Sequence, residues 1–86
     1  MKIFKLIQKN DLFSLIAAED AESALVYYKE CIDMDLREVV EIPKFKWILI
    51  SFSYPKNNYS LMDHLELITH LPCFVGEGSQ SDLYPL

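Results

Sequence analysis

The feature that most constrains this chain is residues 2–32, where two apolar runs, IFKLI and LFSLIAA, flank Lys9-Asn10-Asp11 and lead into AEDAESALVYYKECI. Asn and Asp tolerate the positive φ of tight hairpin turns, so the spacing predicts a β-hairpin with Asn10 and Asp11 at its tip. Side chains alternate along a strand. That tip would therefore place Gln8 opposite Phe13, Leu6 opposite Leu15 and Phe4 opposite Ala17, all on one core-facing side. The other side would carry Ile3, Lys5, Ile7, Lys9, Leu12, Ser14, Ile16 and Ala18, a mixture neither cleanly polar nor cleanly apolar.

A helix should begin where the second strand ends. Asp20 can accept from the free N–H groups of a first turn, and Glu19 and Glu22 suit the positive end of a helix dipole. Ala21, Ala24, Leu25, Tyr28, Cys31 and Ile32 then recur at three- and four-residue spacing, an apolar stripe that needs a partner such as the Phe4/Leu6/Phe13/Leu15 face.

Further along, LREVVEI at residues 36–42 reads as a third strand ended by Pro43, which has no N–H to give. WILISFSY at residues 47–54 reads as a fourth and central strand, with Ile48, Ile50, Phe52 and Tyr54 inward and Trp47 and Leu49 outward. Residues 55–58 form a turn by composition, and Ser60 with Asp63 predicts a reciprocal cap for a second helix over residues 61–70. Cys73-Phe74-Val75 is a short candidate edge strand, and the Gly- and Ser-bearing residues 76–86 read as a flexible tail. The expectation is one α+β domain over residues 1–75: an antiparallel sheet of four to five strands with two helices on one face, in the order ββαββα(β). The two halves share no residue-level repeat.

The functional residues have to be sought on surfaces, because no reactive constellation emerges. His64 and His70 are six apart, which puts them on different faces of a helix, so no metal is expected. Asp33, Asp35 and Glu38 resemble the opening of a calcium loop but lack its turn glycine and terminal glutamate. Cys31 and Cys73 have neither metal-ligand nor redox spacing and read as reduced, buried thiols, with no organised base for a nucleophile. Gly76-Glu77-Gly78-Ser79 opens no helix and is not a phosphate loop. The chain is thus expected to be non-enzymatic and to carry no cofactor.

Charge is segregated along the chain: residues 1–18 carry net +2, residues 19–41 net −6, residues 42–60 net +3 and residues 61–86 net −4. Two surfaces follow. One is the outer sheet face, Ile3, Lys5, Ile7, Lys9, Leu12 and Ile16 with Trp47 and Leu49, whose interleaved apolar and basic groups suit a homo-oligomer interface. The same face, through Lys5, Lys9 and Trp47, could hold an anionic nucleotide ligand between subunits. With 51% hydrophobic residues in 86, more apolar surface is present than a small core hides, which favours self-association. The second surface is acidic: Glu22, Glu30, Asp33, Asp35 and Glu38, suited to a basic protein partner. The net charge of −5 disfavours direct duplex nucleic-acid binding.

No apolar run approaches the ~20 residues a membrane span needs. Lys5, Gln8 and Lys9 interrupt the N-terminal apolar segment, and no small-residue cleavage site follows it, so a cytoplasmic location is expected.

The FKLI hairpin strand, the AEDAESAL helix opening and EIPKFKW resemble short uncharacterised proteins of phages and mobile elements in low-GC Gram-positive bacteria. The resemblance covers about half the chain and rests on structural motifs, so it transfers no site residue. It implies an accessory protein that binds and inhibits a host component, such as a defence protein. A phage structural or assembly subunit is the other role it allows.

Overall fold

The structure is a computed structural model, and it describes residues 1–32, 35–52 and 59–79. The chain runs β1 (Lys2–Gln8), β2 (Leu12–Ala18), α1 (Ala21–Cys31), β3 (Leu36–Ile42), a 3₁₀ helix (Lys44–Leu49), β4 (Ser51–Phe52), β5 (Tyr59–Ser60), α2 (Leu61–Leu65) and β6 (Cys73–Ser79). It is an α+β fold with a four-stranded antiparallel sheet, ordered β3-β1-β2-β6, and β4 and β5 pair separately.

The hairpin turn differs from the expected one, and the difference propagates. Lys9, Asn10 and Asp11 form a three-residue loop between β1 and β2. The Asp11 N–H donates to the Gln8 carbonyl at 3.1 Å, Asn10 Oδ1 accepts from the Leu12 N–H at 3.1 Å, and Asp11 stands at φ 66°. This is a type I turn closed by a left-handed residue, a geometry open to Asp because its short polar side chain tolerates that region. The pairs are consequently Ile3 with Ala17, Phe4 with Ile16, Leu6 with Ser14 and Ile7 with Phe13, one residue out of step with the two-residue tip. A one-residue slip moves every β2 side chain to the opposite face.

Both faces of the hairpin are covered. Phe4, Leu6, Ile16 and Ala18 pack with Ala24 and Tyr28 of α1, while Ile3, Ile7, Phe13, Leu15 and Ala17 pack with Ile42, Trp47, Ile50, Leu61 and Val75. The two helices therefore lie against opposite faces of the sheet, not on one. The first helix takes its expected place, with Asp20 Oδ1 accepting from the Ser23 N–H at 2.8 Å. That hydrogen bond holds the exposed Asp20 carboxyl below its ordinary range.

The largest departure is at residues 47–54. The apolar run WILI composes well as a strand, yet Lys44–Leu49 is a 3₁₀ helix and Ser51–Phe52 is all of the strand that forms there among the described residues. Pro43 starts the turn, its carbonyl accepting from the Lys46 N–H at 2.9 Å, and Trp47 Nε1 donates to the Ile42 carbonyl at 3.1 Å. Residues three apart share a side of such a helix. Trp47 and Ile50 accordingly turn inward, whereas Phe45 and Ile48 are 77% and 76% exposed. The fourth strand of the sheet is β6, longer than the three residues expected, and it follows a cis Leu71–Pro72 peptide. The second helix ends at Leu65 rather than residue 70, but Ser60 Oγ accepts from the Asp63 N–H at 3.1 Å as its cap. Tyr54 and residues 80–86, which include most of the expected tail, lie outside the described residues. No helix among the described residues is long and apolar enough to cross a membrane.

Two outcomes test this arrangement. Asp11→Gly should leave stability unchanged or raised, whereas Asp11→Val should cost about 1–2 kcal/mol, the price of a branched side chain at left-handed φ; equal urea midpoints would remove the left-handed turn. Leu6→Ala and Leu15→Ala, one in each core, should each lower stability by about 2–5 kcal/mol, and a harmless L15A would mean that the face under the 3₁₀ helix is open.

Candidate functional site

The residues expected to form an exposed sheet face are mostly interior. Ile3, Lys5, Ile7, Ile16 and Trp47 are buried, and Ile16 belongs to the α1 core while Ile3, Ile7 and Trp47 belong to the opposite one. Lys9 and Leu12 are exposed at the hairpin end, and the Leu49 side chain lies outside what is described. Lys5, Lys9 and Trp47 consequently share no surface. The physical reason is that the sheet is covered on both sides, by α1 on one and by the 3₁₀ helix and α2 on the other.

The acidic residues stay outside. Glu22 and Glu30 are exposed on α1, Asp35 and Glu38 are exposed at and near the start of β3, and Asp33 lies outside the described residues. They do not form one patch: Glu38 pairs in register with Ile7, on the side of the sheet away from α1. Glu22, Val26 and Glu30, four residues apart, share one helix face.

That face borders a concave region. Glu22, Ser23, Val26, Tyr27, Glu30 and Pro72 line a groove of about 370 Å³ between α1 and the approach to β6. Tyr27 anchors it, its hydroxyl accepting from the Phe74 N–H at 3.2 Å, and burial pushes the phenol above its ordinary value. The floor is apolar, with Val26 half in solvent, and the two carboxylates stand eight residues apart, about 12 Å along the axis at 1.5 Å per residue. Neither Glu22 nor Glu30 is ion-paired among the described residues, where the carboxylates in ion pairs are Glu19, Glu41 and Asp11. The groove can therefore seat an apolar side chain between two cations, which is recognition chemistry. Val26, Tyr27 and Pro72 were missed in the sequence, and the four-residue interval from Glu22 through Val26 to Glu30 was the available signal.

Other candidates fall into place. Cys31 is exposed, contrary to its expected burial, and Cys73 is half-buried with its thiol pushed up by burial; both are free. Among the described residues no three His, Cys, Asp or Glu side chains group as metal ligands do. Lys5 is 5% exposed, with Nζ 5.2 Å from the centre of the Phe13 ring. Burial lowers its pKa from 10.5, opposed by nearby Glu38 and reinforced by Arg37. No family model matches the chain, and no curated protein or solved structure matches it.

The lysine gives a signed pH dependence. With its folded value depressed, the folded state binds fewer protons than the unfolded state between that value and 10.5, so stability rises with pH across this window. Lys5→Met should abolish that rise. Urea unfolding at several pH values should show the native protein gaining on the variant as pH approaches 10.5, and parallel pH profiles would put the ammonium in bulk water.

Proposed function

We propose that this protein is a non-enzymatic binding protein that acts by docking a basic segment of a protein partner into the groove between α1 and Pro72. The observation that carries the reading is the pair of carboxylates, Glu22 and Glu30, unpaired among the described residues and framing an apolar floor of Val26, Tyr27 and Pro72. Bare carboxylates at this spacing favour a ligand with two cations about 12 Å apart and an apolar side chain between them. A helix with bases eight apart or a strand with bases four apart has that shape. Fixed charges on a helix speed encounter and reject acidic competitors, while the apolar floor supplies the affinity.

The phage or mobile-element kinship implied by the FKLI and AEDAESAL motifs makes a host protein, such as a defence component, the partner and inhibition by occlusion the effect. The setting in this reading is the cytoplasm, where the free Cys31 and Cys73 would stay reduced. Self-association loses its earlier support in the sheet face, which is covered, and rests on exposed Phe45 and Ile48 instead.

Capture from a bacterial lysate tests the groove. The native protein should retain a partner whose binding weakens as salt is raised, and Glu22→Lys with Glu30→Lys should abolish retention, whereas Glu38→Lys, on the other side of the sheet, should keep it. A partner retained equally by all three proteins would take the groove out of the mechanism.

A further inference from the structure

A second concavity lies on the opposite side of the sheet. It is a cavity of about 260 Å³ between β1, β3 and the start of the 3₁₀ helix, walled by Ile7, Val40, Ile42 and Pro43, with Lys5 and Lys46 in its lining. Lys5 is nine-tenths buried and has no hydrogen bond or ion pair among the described residues beyond its contact with the Phe13 ring. The neighbouring charges are largely committed elsewhere. Arg37 Nη1 bonds Asp11 at 2.7 Å, and Glu41, which also borders the cavity, pairs in register with Phe4 and reaches Lys2 at 3.9 Å. Glu38 is the remaining nearby carboxylate, and it is exposed.

A buried ammonium whose nearest uncommitted carboxylate, Glu38, lies exposed to water is only partly compensated, and the remaining cost is relieved either by losing the proton or by gaining an anion. The apolar walls rule out a purely hydrophilic ion as the best fit, and the volume, just below the usual range for ligand cavities, limits the ligand to a small one. We propose that this cavity is a binding site for a small organic anion whose carboxylate or phosphate-monoester head sits on Lys5 Nζ and Lys46 and whose apolar body lies against Ile7, Val40, Ile42 and Pro43. The site is independent of the acidic groove, from which the sheet separates it. It also differs from an interface-bound nucleotide, because Trp47 is interior and Lys9 is at the far end of the hairpin. Both head groups share the chemistry that matters here, a negative charge able to accept from an ammonium in a poorly hydrated setting.

Titration of the labelled native protein with benzoate, phenyl phosphate and the neutral benzamide, followed by backbone amide NMR shifts, tests the site. One or both anions should shift the amides of Lys5, Ile7, Val40 and Ile42 saturably, and benzamide should not. Lys5→Met should weaken the anion at least about tenfold, Lys46→Ala more modestly, and Glu38→Gln should tighten it by removing a competing carboxylate. Lys46 and Glu38 carry little of the core, so these two variants decide the matter should K5M fail to fold. The site is overturned if neither anion moves these amides, if benzamide binds as well as benzoate, or if the folded variants bind the anions as the native protein does.

Discussion

The left-handed conformation of Asp11 is the constraint from which the rest of the molecule follows. With Lys9 and Asn10 it makes a loop of three residues, and loop length decides which side chains of β2 stand beside which of β1. In the observed register Phe4 meets Ile16 beneath α1, and Ile7 meets Phe13 beneath the 3₁₀ helix and α2. A two-residue tip would have divided the same apolar side chains differently. Asn10 and Asp11 serve this turn by distinct means, one by accepting from the Leu12 N–H and the other by tolerating φ 66°.

Two cores in so short a chain explain how its apolar content is housed. β1 and β2 are buried at six of seven positions each, so nearly every side chain of the hairpin works against one layer or the other. Strands covered on both faces read as almost continuous apolar runs, while strands with one wet face alternate. The edge strand β3 fits neither pattern, with Arg37, Glu38, Val40 and Glu41 exposed on both faces and Ile42 buried. Charge on such an edge also discourages pairing with other chains. The central position of the hairpin leaves polar groups in awkward places, and Lys5 is the clearest case. Its Nζ lies 5.2 Å from the centre of the Phe13 ring, and the residue lines the cavity with Ile7, Val40 and Ile42.

The surfaces left over are consequences of what the layers do not reach. α1 buries Ala24 and Tyr28 and leaves Glu22, Val26 and Glu30 to solvent. The Tyr27 hydroxyl, tied to the Phe74 N–H, holds the helix against β6 and shapes the groove between them. On the other side, the 3₁₀ helix turns Trp47 inward and exposes Phe45 and Ile48. A basic and apolar surface and an acidic one thus stand on different layers, separated by the sheet.

The sequence by itself determined the elements whose causes are local. The cap of α1 at Asp20, the cap of α2 at Ser60, the stop at Pro43 and the strands at residues 2–8, 12–18 and 36–42 depend on neighbours a few residues away. The acidic carboxylates of the groove were legible for the same reason, since charged side chains on a helix face stay in water. Only the tertiary structure decided the conversion of the 44–49 segment into a 3₁₀ helix, the recruitment of residues 73–79 as the fourth strand and the inclusion of Pro72 in the groove. Each of these depends on contacts between residues distant in sequence. An apolar run carries no mark of whether one or both of its faces will be covered, and the answer belongs to whatever segments pack against it.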